Sequence, residues 1–201
     1  MIQLMSIRAR KRLGEIGFAG LIVVFAWLLQ VTVLTKLSLD TVLCSLPLAI
    51  TITWGAVFGS PLRKPTPEEL RMQPVDQAIM MQIASGSVSG LIIGAIFASF
   101  YLTMLPIYPV SYPLVGWLAG YFSLKSFNKA TLLCIPLVLG GTVFAESITA
   151  LQLHMIGRPE VLPRLAEIAF PEAILNSLIA PFIYFPMRAW FEFFTSRDVR
   201  E

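Results

Sequence analysis

Residues 170–186, FPEAILNSLIAPFIYFP, form an apolar run that carries a carboxylate (Glu172), an amide (Asn176) and three prolines. In water such a run makes a poor helix, because each interior proline removes a backbone donor and clashes with the preceding turn. In a membrane it is tolerated, since neighbouring helices satisfy the backbone groups that proline leaves free. The segment therefore predicts a transmembrane helix and raises the question of what its two polar side chains do.

The composition of the whole chain agrees with a membrane environment. Of its 201 residues, 56% are hydrophobic and only 13% are charged, whereas a soluble domain has about 25% charged residues. The mean hydropathy is +0.76. The 15 Lys and Arg exceed the 12 Asp and Glu by a net charge of +3. In a membrane protein the positions of these charges report topology, and we predict no nucleic-acid partner.

The N-terminal segment predicts a retained anchor. Basic residues between positions 8 and 12 precede the first apolar run, but no small-residue cleavage site closes that run, which disfavours a cleaved signal peptide. The two cysteines, Cys44 and Cys134, fall inside apolar segments without metal-ligand spacing. We therefore predict that both are packing residues, with neither a disulfide framework nor a metal site.

Charged residues and turn residues divide the chain into six predicted spans, each near the length of about 20 residues that a crossing needs. The uncharged run 77–124 is too long for one crossing, and Pro106, Pro109 and Pro113 break it into two. The predicted spans are residues 18–35, 41–58, 78–105, 108–124, 130–153 and 169–191.

The predicted fold class is therefore all-α, a polytopic membrane protein with six transmembrane helices. One transmembrane domain, 18–191, is flanked by a basic N-terminal segment, 1–17, and a C-terminal tail, 192–201. A polar connector, 59–77, joins the second and third spans and includes a short surface helix at PEELRM, 67–72.

The distribution of Lys and Arg predicts the orientation, because cytoplasmic loops retain these residues. Six spans with both termini in the cytoplasm place twelve basic residues inside and three outside. Those outside are Lys36, Arg158 and Arg164. Merging the third and fourth spans would instead move Lys125 and Lys129 outside and lose the bias.

The third and fourth spans share a pattern of small residues. Gly86, Gly90 and Gly94 recur every four residues in the third span, and Gly116 and Gly120 do so in the fourth. Small residues at this spacing line one helix face and let another backbone approach closely. The pattern predicts that these two spans pack on each other, in preference to a contact with a partner protein.

Glu146 is the acid that lies deepest within a predicted span, and ionisable groups at such depth are costly enough to suggest function. Thr142 and Thr149 share its helix face. A structural carboxyl that is protonated or hydrogen-bonded to a neighbouring helix is an equally good interpretation.

Glu172 follows Pro171 and would suit the first turn of a helix, where an acid complements the helix dipole. Asn176 lies on the same face but too far along to be a cap. The predicted topology places these two residues, Glu146 and Gln30 at similar depth in the outer half of the membrane. We predict a polar cluster there that binds a ligand, a partner's transmembrane helix or only itself.

The connector carries three further basic residues, Arg63, Lys64 and Arg71. They could hold the connector near anionic lipid headgroups, at about 1 kcal/mol each, or near a cytoplasmic partner. The simpler interpretation is a solvated loop whose charges fix the topology.

No pattern in the sequence predicts catalysis. His154 is the single histidine, and neither a nucleophile triad, nor paired catalytic carboxylates, nor a phosphate-binding loop occurs. We therefore expect a protein that is not an enzyme and that carries no cofactor or metal.

The order of these features resembles that of the MreD family, multi-span inner-membrane proteins of the bacterial rod-shape system. The similar stretches are AWLLQVTVL at 26–34, GSVSGLIIGAI at 86–96, GWLAGYF at 116–122 and PEAILNSLIAP at 171–181. The closing span of that family has an alanine, aliphatic, asparagine core, which corresponds here to Ala173, Ile174, Leu175 and Asn176. The resemblance is one of pattern and extends over about residues 18–191.

The resemblance implies a scaffold of the cell-wall elongation machinery in the bacterial cytoplasmic membrane. Its expected partner is an MreC-like bitopic protein and, through it, the actin-like MreB and the peptidoglycan synthases. The MreD family also resembles in fold the substrate-binding subunits of energy-coupling-factor vitamin transporters. The alternative function is therefore a small-molecule binding subunit of a transporter, because a fold alone does not decide function.

Overall fold

The structure is a computed structural model that describes residues 2–32, 38–39, 42–59, 67–72, 74–84, 86–100, 108–122 and 133–197. This part of the chain is mostly helical, in agreement with the predicted all-α class. Its α-helices are α1 (Ile2–Thr32), α2 (Leu46–Val57), α3 (Pro67–Met72), α4 (Val75–Ala84), α5 (Val88–Phe100), α6 (Ser111–Ala119), α7 (Cys134–Met155) and α8 (Leu165–Arg197).

Short elements complete these ranges. Single turns of 3₁₀-helix are formed by Gly120–Phe122, directly after α6, and by Pro159–Val161, between α7 and α8. Strands β1 (Ser38–Leu39) and β2 (Val42–Leu43) pair antiparallel between α1 and α2. The predicted surface helix at PEELRM is present as α3.

Helix α2 lies at the centre of the fold. All twelve of its residues are buried, and it contacts α1, α5, α6, α7 and α8. At a rise of about 1.5 Å per residue it is about 18 Å long, which is shorter than a membrane crossing. A helix that is apolar on every side is stable only when other elements surround it, and the five neighbouring helices do so here.

Helices α5 and α6 pack closely because glycines face each other at their crossing. A Cβ added to Gly90 would overlap the backbone oxygen of Gly116, and one added to Gly94 would lie 2.5 Å from the backbone oxygen of Tyr112. A Cβ on Gly120 would overlap Ser87, next to the start of α5. Glycine therefore permits a backbone approach at this crossing that other residues would prevent.

Gly86 also contacts α6 closely, but its neighbour is a side chain and not the backbone. A Cβ at Gly86 would overlap the indole of Trp117, so the ring of α6 covers the position that a side chain would occupy. The backbone N–H of Ser87 also donates to the carbonyl of Trp117 over 3.0 Å. The chain just before α5 is thus tied directly to α6.

Two helices in the described part of the chain are long and apolar enough to cross a membrane. They are Cys134–Met155, with 22 residues and a mean hydropathy of 1.6, and Leu165–Phe193, with 29 residues and a mean hydropathy of 1.5. Only 39% of the apolar 18-residue stretch of each helix is buried in the protein. The outer face of α8 exposes large apolar side chains such as Phe182 and Phe185. Exposed apolar surface of this extent is typical of a lipid-facing helix.

The predicted third span is not one helix. Helix α4 ends at Ala84 and α5 begins at Val88. The backbone N–H of Gly90 donates to the Ser87 hydroxyl over 3.0 Å. A serine that accepts from the third residue of a helix is an N-cap, so Ser87 starts a new helix inside the predicted span 78–105.

The last helix begins before the predicted span 169–191. Helix α8 starts at Leu165 and continues through Pro171. Glu172 therefore lies in the helix interior, and the prediction that it occupies the first turn is wrong. The acidic residue in the first turn of α8 is Glu167. The helix dipole of α8 therefore does not explain the position of Glu172.

Both predicted terminal segments are partly helical. Helix α1 begins at Ile2, within the predicted basic segment 1–17, and α8 continues to Arg197, within the predicted tail 192–201. In the predicted second span 41–58, by contrast, the helix begins only at Leu46, because Ser45 and Pro47 provide an N-terminal boundary.

Candidate functional site

Side-chain amides from two other helices hold the start of α2. The backbone N–H of Ser45 donates to Oδ1 of Asn176 over 2.8 Å, and that of Leu46 donates to Oε1 of Gln30 over 2.9 Å. Gln30 also donates through Nε2 to the carbonyl of Cys44 over 2.8 Å. The first N–H groups of a helix have no partner within the helix. Gln30 of α1 and Asn176 of α8 therefore satisfy groups that would otherwise be buried without one.

Asn176 joins three parts of the fold. Its side chain is fully buried, at 0% exposure. Besides the Ser45 N–H, its Oδ1 accepts from the thiol of Cys44 over 3.2 Å, and its Nδ2 donates to the Thr142 hydroxyl of α7 over 3.2 Å. Cys44 is thus more than the packing residue predicted for it, because it contributes both a thiol and a carbonyl to this network.

Helix α6 contributes two hydroxyl groups to the same end of the bundle. The Ser45 hydroxyl hydrogen-bonds the Tyr112 hydroxyl over 2.8 Å. The Thr149 hydroxyl of α7 donates to the Ser111 hydroxyl over 3.0 Å. The polar side chains of α1, α6, α7 and α8 therefore converge around the segment that starts α2, and we call this set the polar cluster.

Two carboxyl groups lie in the polar cluster. Glu146 of α7 and Glu172 of α8 are each only 8% exposed. The short connection between α7 and α8 makes the two helices antiparallel neighbours, so the hydrogen bond between Thr142 and Asn176 places Glu146, one turn after Thr142, opposite Glu172, one turn before Asn176. The Glu172 carboxyl lies next to the side chain of Asn176, which is one turn later on α8. The Oε1 atom of Glu146 has no hydrogen-bond partner among the described residues.

No basic side chain contacts this pair in the part of the chain that the structure describes. The ion pair found there is formed by Arg188 and Glu192 over 2.7 Å, about four turns of α8 beyond Glu172. His154, Arg158 and Arg164 are exposed. The described residues also contain no group of three or more His, Cys, Asp or Glu side chains that could hold a metal ion.

The predicted site residues fall into three places. Gln30, Glu146, Glu172 and Asn176 belong to the polar cluster, although Gln30 reaches Asn176 only through the segment 44–46. The five glycines predicted for helix packing, Gly86, Gly90, Gly94, Gly116 and Gly120, lie where α5 and its preceding turn meet α6. Of the three connector residues, Arg71 is exposed on α3, and Arg63 and Lys64 lie outside the described residues.

Two partly open grooves run along the described helices, and both are apolar. The first has a volume of about 430 Å³ and lies between α6 and α7, with α2 and α8 at its base. Its wall on α7 includes Pro136, Gly140 and Phe144. The second, of about 380 Å³, lies between α1 and α8 over the start of α2. Neither groove is lined by a residue of the carboxyl pair.

Comparisons of the chain with protein-family models, with curated proteins and with solved structures give no match. The resemblance to the MreD family therefore depends on the sequence motifs at 26–34, 86–96, 116–122 and 171–181.

Proposed function

We propose that the chain is a membrane scaffold of the rod-shape type, which binds an MreC-like bitopic protein in the bacterial cytoplasmic membrane and so helps to organise peptidoglycan synthesis. The observation that supports this function is the character of the two grooves, which are apolar and partly open. An apolar, lipid-facing groove suits a transmembrane helix of a partner, because such helices associate by close packing in lipid.

The apolar character of the two grooves disfavours a vitamin-binding subunit. Small-molecule sites are concave cavities in which a few polar groups converge to orient the ligand. The amides of the polar cluster are Gln30 and Asn176, and both bind the start of α2. The amides of the polar cluster thus bind the backbone of the protein itself.

The groove between α6 and α7 is the proposed seat for one transmembrane helix of the partner. At Gly140 the backbone of α7 is exposed in this groove, and a Cβ added there would meet no atom within 4 Å. Small residues at a helix surface let a second helix approach closely. The groove has a volume of about 430 Å³, which is enough for several side chains of such a helix. Because the residues that line the groove are apolar, it favours apolar side chains.

Substitution of Gly140 by leucine is expected to lower recovery of the bitopic partner about tenfold, which corresponds to about 1.4 kcal/mol. The reason is that the new side chain fills the groove without disturbing the fold. The measurement is copurification of an MreC-like protein with the tagged full chain from detergent-solubilised membranes. Gly20→Leu is the matched control, because Gly20 is also exposed on an apolar helix with open space around it.

Equal partner recovery with both variants would remove the groove from the interface. Saturable vitamin uptake that requires an ATPase partner, together with no recovery of any rod-complex protein, would contradict the scaffold function and favour the transporter subunit.

We also propose six transmembrane spans with both termini in the cytoplasm, supported by the distribution of Lys and Arg. Single cysteines placed between residues 125 and 129 are expected to react with a membrane-impermeant thiol reagent only after the membrane is opened. A cysteine at position 158 is expected to react from outside. The background should replace Cys44 and Cys134 by serine or alanine. Labelling of 125–129 in intact cells would show that the topology is wrong.

A further inference from the structure

The carboxyl pair of Glu146 and Glu172 has no positive counter-charge among the described residues. Both side chains are more than nine-tenths buried, at 8% exposure each, and neither forms an ion pair there. A buried charge is normally paired with an opposite charge or a metal ion. Here two acids share one interior site, and the amide of Asn176 next to Glu172 is the neutral group that accompanies them.

The orientation of Glu146 follows from its neighbours on α7. Thr142 and Thr149 lie one turn before and one turn after it, on the same helix face. Thr142 accepts a hydrogen bond from Asn176 of α8, and Thr149 donates one to Ser111 of α6. The face that carries Glu146 therefore points between α6 and α8 into the bundle. The Oε1 atom of Glu146 is buried there and has no hydrogen-bond partner among the described residues.

Two neighbouring carboxylates in the interior cannot both be ionised without a compensating positive charge, because each disfavours the charge on the other and burial disfavours both. The titratable groups of other elements that lie near the pair are the thiol of Cys44, which precedes α2 and hydrogen-bonds Asn176, and the hydroxyl of Tyr112 on α6, which hydrogen-bonds Ser45. Neither can supply a positive charge. The start of α2 supplies only the partial charge of a helix N-terminus, and Asn176 and Gln30 already accept its N–H groups.

We propose that Glu146 and Glu172 form a binding site for one monovalent cation inside the bundle, either a proton shared by the two carboxyls or a sodium ion. Carboxylate and hydroxyl oxygens are hard ligands of the kind that such cations take, and the pair offers two carboxyls, with the hydroxyl of Thr142 on the same helix face as Glu146. The site is independent of the proposed scaffold function, because it requires no partner protein.

The test uses the purified full chain in lipid nanodiscs at neutral pH. Infrared spectroscopy measures the C=O stretch of protonated carboxyl groups in choline chloride, where a proton is the available small cation. The unsubstituted protein is expected to show a band for a buried protonated carboxyl that is absent from the E146Q/E172Q variant. Glutamine keeps the size of the protonated acid, so this variant should remain folded, which thermal unfolding checks.

The single variants distinguish a shared cation from two independent buried acids. If the pair holds one shared proton, the band of the unsubstituted protein should differ from the sum of the bands of E146Q and E172Q, because the two groups titrate together. It is smaller than the sum where burial alone keeps the remaining acid protonated, and larger where the repulsion of the second acid is needed. A band equal to that sum, or no loss of the band in the double variant, would overturn the proposal. E167Q, at an exposed acid in the first turn of α8, should change nothing.

Replacement of choline by sodium at constant ionic strength identifies the cation. Saturable loss of the band shows that sodium displaces the proton, and an unchanged band shows that the site takes a proton alone. Both results require the carboxyl pair, and the double variant should respond to neither cation.

Discussion

Gly90→Ala is expected to destabilise the protein by about 3 kcal/mol, at the upper end of the usual cost of overpacking a core. The added methyl group would overlap the carbonyl oxygen of Gly116 and lie 2.8 Å from the Cα of Gly55. Both are backbone atoms of buried helices, so no side-chain rotation can make room. The helices α2, α5 and α6 would have to move apart. The measurement is the midpoint of unfolding by denaturing detergent or by heat, in a fixed mixed-micelle composition.

Gly140→Ala is the matched control for this substitution. It adds the same methyl group to another apolar helix, but at a position where a Cβ meets no atom within 4 Å. Alanine is the better helix former by about 1 kcal/mol, so the control should unfold at the same or a higher midpoint than the unsubstituted protein. Equal midpoints for Gly90→Ala and Gly140→Ala would contradict the close crossing of the three helices.

The glycine pattern could be interpreted from sequence because both of its requirements are local. A spacing of four residues fixes one helix face, and the absence of a side chain fixes how closely a neighbour can approach. The pairing of the third and fourth spans needed only those two facts. The participation of Gly55, which faces Gly116 from α2, was not predicted, because a single glycine in a helix shows no spacing.

The helix boundaries were less predictable, since they depend on capping and tertiary contacts more than on hydropathy. The break before α5 had a local signal in Ser87, which caps that helix. At the start of α8, by contrast, a local signal indicated a boundary that the structure does not have. Pro171 and the charged residues around it indicated a boundary, yet the helix continues through the proline, as helices in lipid can.

The polar cluster was predicted in part. Hydropathy identifies polar residues at similar depth, and this was sufficient to group Gln30, Glu146, Glu172 and Asn176. Hydropathy cannot show that the two amides of this group, Gln30 and Asn176, bind backbone N–H groups, because the start of α2 comes near them only in the folded chain. Cys44 was missed for the same reason, since its role comes from a carbonyl and a thiol beside that start.

Asn176→Ala is expected to cost about 2 kcal/mol of stability, because it leaves the N–H of Ser45, at the start of the buried helix α2, without its acceptor. A side-chain hydrogen bond between two membrane helices is worth only about 0.6 kcal/mol on average, since each group finds another partner. The N–H at the start of a buried helix has no such alternative. The loss should therefore exceed that of an ordinary interhelical bond. Unfolding in the same mixed micelles measures it.

Ser177→Ala separates this effect from the general cost of removing a polar group from α8. Ser177 is the next residue and is also buried, but its hydroxyl donates to the carbonyl of Ile174 within the same helix. Its loss breaks no contact with α2, and we expect a change below about 0.5 kcal/mol, as for substitutions away from special features. If Asn176→Ala were as mild as Ser177→Ala, the start of α2 would have to be held by Gln30 alone. Gln30→Ala would then show the larger loss, and the amide of Asn176 would be free to serve a ligand or a partner.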